Sequence, residues 1–281
     1  MDQAEYEAIT AEVLASAEAG DLTTCERLLI GQLARVRGDD TEQELRTLSN
    51  LAAIYGRAGR RVESLVLAER GVALARAAGN TYREARGLTG VCNGRHGLRI
   101  GADLGAELTR LRELMIEFPV RDNTLLLHVE VAFLEFVHAM QSGTLEAARI
   151  YIEHFHDLAR RLDRDHALTD CVHIAGLAEI ELLEGDPSKA RDLLDELRQR
   201  NIAAPFHLPE VTVRRVDASV AAGALEDARR EADAAFEALE GAPPIARAEC
   251  IHFGGRLADV LAGPLDDVDA ARRAYDLVAA A

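Results

Sequence analysis

The chain has 281 residues, 48% of them apolar but only 4% aromatic, no tryptophan, and a formal net charge of −16. That apolar share is ample for a packed interior, whereas the acidic balance excludes general binding to nucleic acid or to an anionic membrane surface, both of which need a basic face. Ala, Leu, Arg and Glu dominate while β-branched and aromatic residues are sparse, so the composition predicts an all-α protein.

The first ten residues, "MDQAEYEAIT", are acidic and lack the basic-then-apolar pattern of a secretory signal. Cys25, Cys92, Cys171 and Cys250 are far apart and form no CxxC. They read as reduced, half-buried thiols, so the expected location is cytoplasmic. The most apolar stretch, "LLLHVEVAFLEFVHAM", is interrupted by Glu130, Glu135 and two histidines, and no membrane span is expected.

Single-glycine turns recur at Gly20, Gly59, Gly101, Gly143, Gly185, Gly223 and Gly263, at intervals of 39, 42, 42, 42, 38 and 40 residues. Each is flanked by helical periodicity, which describes helix–turn–helix hairpins over 1–40, 41–80, 81–121, 122–164, 165–203, 204–242 and 243–281. In the first three, Thr23/Glu26, Thr41/Glu44 and Thr81/Glu84 have capping-box spacing. In the fifth, Asp186 and Pro187 fit an N-cap and a first helical position. Gly241, Pro243 and Pro244 separate the sixth hairpin from the seventh. One amphipathic hairpin cannot bury its apolar face, so neighbours must stack into a single array. The acidic segment 1–44 suits an N-terminal cap, whereas "RRAYDLVAAA" ends without one, and the expectation is that further repeats or an effector domain follow.

In the second hairpin, Asn50, Leu51, Ala52, Tyr55 and Gly59, followed by Ser64, Ala68 and Gly71, resemble a tetratricopeptide (TPR) repeat. Leu177, Ala178, Gly185 and Ala190 repeat the match, as do Gly223 and Ala228. The period near 40 and the missing early aromatic depart from the usual repeat, and the longer period resembles the TPR arrays of bacterial transcription and signalling regulators. That resemblance implies a right-handed superhelical α-solenoid that binds proteins, peptides or small effectors on its concave face and carries no catalytic residues. The expected function is a non-enzymatic interaction module in bacterial regulation or signalling, without a cofactor. The other reading is a ligand- or peptide-sensing domain of a larger regulator.

Residues 45–121 hold 13 Arg against 7 acids, the one positive segment of the sequence. Arg46 and Asn50 begin the first helix of hairpin two, and hairpin three adds Arg83, Arg86, Asn93, Arg95 and Arg99. Arginine forks suit carboxylates or the C-terminus of a peptide, and asparagine can hold an extended backbone. The expected partner is therefore a protein or peptide, acidic or C-terminal, with a second copy of the protein as a further candidate. Gly87, Gly90, Gly94, Gly97, Gly101 and Gly105 are spaced by 3 or 4 residues and fall on one helix face. Within a helix each costs about 1 kcal/mol relative to Ala; the offset is either close helix packing or a partner's backbone. The candidate partner-binding residues are Arg46, Asn50, Arg83, Arg86, Gly87, Gly90, Asn93 and Gly97.

Six histidines lie between 128 and 173. His154 and His156 are two apart, on opposite sides of a helix, and His128 and Glu135 are two turns apart, so no metal site is expected. The acids Asp39, Asp40, Asp266, Asp267 and Asp269 sit at predicted helix starts, where they complement the macrodipole.

Overall fold

A computed structural model of the protein describes residues 1–38, 40–98, 104–162, 167–199, 208–241 and 247–280, which form fourteen α-helices and no strand among the described residues. Two compact units divide the sequence, Met1–Leu134 and Glu135–Ala281. The first holds α1 (Gln3–Glu18), α2 (Leu22–Val36), α3 (Thr41–Arg57), α4 (Arg61–Ala77), α5 (Thr81–Leu98) and α6 (Gly105–Met115), and the boundary falls within α7 (Leu125–Gln141). The second continues with α8 (Leu145–Leu162), α9 (Ala167–Glu184), α10 (Pro187–Gln199), α11 (Leu208–Ala221), α12 (Leu225–Glu240), α13 (Arg247–Ala262) and α14 (Val268–Ala280). No described helix is long and apolar enough to cross a membrane.

The predicted turns form by one repeated mechanism. Gly59 and Gly143 take φ of 75° and 72°, a left-handed conformation that only glycine adopts without steric cost. At each, the glycine N–H donates three residues back and the next N–H five residues back, to Tyr55 O at 2.9 Å in one case and Ala139 O at 2.9 Å in the other. This satisfies the orphan carbonyls of the preceding helix. Gly20, Gly185 and Gly223 repeat the bonding. Gly101, with Arg99, Asp39, His166, Pro243 and Pro244, lies outside the described residues. The seventh turn differs from expectation: the left-handed residue is Asp266 (φ 50°), three positions after Gly263.

The caps also shift. Asp21, Asp40 and Asn80 accept the N–H of Thr24, Gln43 and Arg83, each at 3.0 Å, so the caps precede Thr23, Thr41 and Thr81. Glu44 and Glu84 turn inward to arginines instead of closing a box. Asp186 caps α10 as expected, with Pro187 at the first helical position, and Asp267 caps α14.

Within the units, consecutive helices pair and bury their apolar stripes. In the first, Val13 of α1 and Cys25 and Leu29 of α2 pack with Leu51, Ile54 and Tyr55 of α3. A second cluster joins Ala68 and Val72 of α4 to Leu88 and Val91 of α5, Leu108 and Leu111 of α6 and Leu134 of α7. In the second unit, Ala190, Leu194 and Leu197 of α10 meet Ala175 and Ala178 of α9. Their i, i+4, i+7 spacing is the helical stripe read from the sequence. Farther along, Ala232, Ala235 and Phe236 of α12 pack with Leu257 and Leu261 of α13. Cys25, Cys92 and Cys171 are buried free thiols.

The glycine face of α5 packs on α4. A Cβ at Gly87 would stand 2.8 Å from Val72 Cγ2 and 3.3 Å from its backbone nitrogen. At Gly90 it would meet Ala68 Cβ at 3.3 Å, and at Gly94 Leu65 Cβ at 3.2 Å. Leu65, Ala68 and Val72 therefore seat into the stripe, and close packing supplies the offset for these three glycines. The surroundings of Gly97 lie outside the described residues. Gly31 of α2 is exposed and has open space where its Cβ would stand. By urea denaturation, Gly87→Ala should lower stability by about 1–3 kcal/mol through overpacking, whereas Gly31→Ala should raise it by about 0.5–1 kcal/mol.

Candidate partner-binding groove

Where α5 closes on α4, the small residues facing α3 leave a cavity of about 340 Å³ in the first unit. Its floor is Ala52, Ala53 and Gly56 of α3, Ala68 and Gly71 of α4, and Gly87, Gly90 and Gly94 of α5. Polar groups ring it: Ser49, Arg61, Ser64, Arg83, Arg86, Thr89, Asn93 and Glu130. The Ser64 hydroxyl donates to Ala52 O at 2.7 Å and ties α4 to α3 beside the opening.

Of the residues singled out in the sequence, Arg83, Arg86, Gly87, Gly90 and Asn93 come together on this wall. Arg46 and Asn50 do not line it: the Arg46 guanidinium lies 5.4 Å from the Tyr6 ring centroid, facing α1. The arginines of the positive segment are matched internally. Arg83 pairs with Glu42, and Arg86 Nη1 lies 2.5 Å from Glu130 Oε2. Arg95 Nη1 lies 2.5 Å from Glu107 Oε1. Thr89 Oγ1 adds a contact of 3.0 Å to the Glu130 carboxylate. Arg61 is half-buried at the rim and has no carboxylate partner among the described residues. Sequence reading missed it; the signal was its place at the first position of α4, beside the Gly59 turn.

A buried carboxylate holds α5 in place. Glu84, 5% exposed, accepts from Arg76 Nε at 2.8 Å and from Arg110 Nε at 2.9 Å, bridging α4, α5 and α6. The Arg110 bonds hold its carboxyl below the ordinary glutamate value against the opposing effect of burial, with Arg76 adding to the stabilisation.

In the second unit, one group of described residues has metal-ligand character: Glu153, His156 and His173, on α8 and α9. Burial, and next the adjacent His156, lower the His173 pKa. The sequence signal was a repeated acid-x-x-His, "EHFH" and "DCVH", in place of His154/His156 and His128/Glu135.

No family model and no curated relative matches the protein. Solved structures do. A Rap protein complexed with competence and sporulation factor superposes with a TM-score of 0.74 at 11% identity, covering 99% of this chain and 75% of that one. The apo form of RapI gives a TM-score of 0.63 at 10% identity, covering 98% and 96%. A tetratricopeptide repeat protein from Parabacteroides merdae gives 0.43 at 15% identity, covering 83% and 92%. The first two show the fold: an all-α array of helical hairpins of the TPR-like kind.

Because the folded pKa of Glu84 lies below its unfolded value, its stabilisation is complete above about pH 4.3 and is lost as pH falls through the folded value. Glu84→Gln should therefore cost about 1–2 kcal/mol at pH 7, the arginines being half-exposed. In urea denaturation at stepped pH, the difference from wild type should shrink below about pH 4.

Proposed function

We propose that the protein is a non-catalytic interaction module of bacterial regulation or signalling that receives an acidic or C-terminal protein segment in the groove of its first unit. The observation that carries this reading is the pairing of a small-residue floor with an arginine rim. A floor of alanine and glycine admits a partner's backbone to close range, and Ser49 and Asn93 supply hydrogen bonds that suit an extended peptide. Arg61, with no carboxylate partner among the described residues, offers its guanidinium to a partner carboxylate, and Arg86 offers a second by exchanging Glu130 for the partner's acid. The exchange replaces one ion pair with another, so its net gain is modest and the reading favours a transient partner. The Rap protein solved with competence and sporulation factor supports a ligand-receiving role for the fold.

Ala53 is exposed at the floor, so Ala53→Trp fills the groove without touching the core. Panning the protein against a phage-displayed random peptide library should recover sequences rich in Asp and Glu or bound by a free C-terminus. Ala53→Trp should weaken the recovered peptides by more than about tenfold. Arg61→Ala and Arg86→Ala should each weaken them about tenfold, near 1.4 kcal/mol. Arg46→Ala should have no effect. Unchanged affinity in Ala53→Trp and both groove arginine variants would remove the groove from the reading.

A further inference from the structure

Helices α8 and α9 each present an acid and a histidine three residues apart: Glu153 and His156 on one, Asp170 and His173 on the other. That spacing puts each pair on a single helix face. The pairs meet in crossed register. His156 Nε2 lies 2.9 Å from Asp170 Oδ1, and His173 Nε2 lies 3.1 Å from Glu153 Oε2. The two imidazoles stack with centroids 4.0 Å apart and planes 7° from parallel.

Of the two contacts, only the first is a hydrogen bond. The second is poorly aligned: His173 Nε2 is buried without a directed hydrogen bond despite its closeness to Glu153. Ligand atoms of Glu153, His156 and His173 all lie within 4.8 Å of one another. In a tetrahedral zinc site with bonds of about 2.1 Å, ligand atoms stand about 3.4 Å apart. Small side-chain rotations would close the difference.

We propose that these residues bind one divalent first-row transition ion, zinc fitting best, with His156, His173 and Glu153 as ligands and water completing the tetrahedron. Two imidazoles and one carboxylate form a borderline nitrogen–oxygen set that suits zinc over magnesium or calcium. Each neutral ring then carries its one proton on Nδ1, and the stacked rings splay as both turn Nε2 toward the ion, with His156 leaving its contact to Asp170. Glu153 is exposed and gives the ion a path in, while the histidines and Asp170 are mostly shielded. The ligands come from two helices adjacent in sequence, so the ion clips α8 to α9 within the second unit.

The test is a Co²⁺ titration of the full-length protein, tag-free and stripped by chelator, followed by visible absorption. The expected result is one saturable equivalent with tetrahedral d–d bands, displaced by Zn²⁺, and a higher Tm with Zn²⁺. His156→Gln, His173→Gln and Glu153→Gln should each weaken Co²⁺ binding by about tenfold or more. Glu153 is exposed, so its variant tests the site without disturbing the fold. His154→Gln, an exposed neighbour, should bind as wild type. No saturable spectrum, or unchanged binding in Glu153→Gln, or an equal loss in His154→Gln, would overturn the proposal.

Discussion

Helix α5 lies so close to α4 that position 87 has no room for a methyl group. Val72, Ala68 and Leu65 occupy the space that side chains of Gly87, Gly90 and Gly94 would need. Each glycine costs helix stability, and burial of the α4 side chains offsets that cost. The same missing side chains leave the floor of the groove open toward α3, so one packing constraint produces both the tight seam and the cavity beside it. Glu84 then fixes the helix along its length by bridging to Arg76 and Arg110.

Charge in the first unit follows from that placement. The excess of arginine over residues 45–121 looks, in sequence, like one anion-seeking surface. In three dimensions carboxylates from neighbouring helices meet most of it: Glu44 at Arg70, Glu42 at Arg83, Glu130 at Arg86 and Glu107 at Arg95. Exposed pairs of this kind add little stability, but they neutralise the field. At the groove, Arg61 alone of the lining arginines has no carboxylate partner among the described residues. In the second unit, the partly buried Asp217 lies beside Arg256, yet its carboxyl is pushed above the ordinary value because desolvation outweighs the attraction.

Local chemistry was legible in the sequence, and tertiary pairing was not. The helical hairpins and five of their turns were readable because a left-handed C-terminal glycine is a local requirement. The caps were displaced to Asp21, Asp40 and Asn80 because adjacent residues compete for the same N–H, and reach decides the winner. The seventh turn used Asp266 where Gly263 was expected, since asparagine and aspartate also tolerate that conformation. The glycine face of α5 followed from spacing alone, but the helix it faces did not. The partners of Arg83 and Arg86 lie 41 and 44 residues away, beyond any local pattern. The acid-x-x-His pairs of α8 and α9 were visible singly and gained meaning only when the helices met.

Hydrogen–deuterium exchange of the protein, alone and with a captured acidic peptide, tests the central claim most directly: that the small-residue groove between α3, α4 and α5 is the binding surface. Binding there should slow exchange in α3 around Ser49–Gly56 and in α5 around Arg83–Gly94, with no change in α10–α14. Protection confined to the second unit, or absent from α3 and α5, would contradict it.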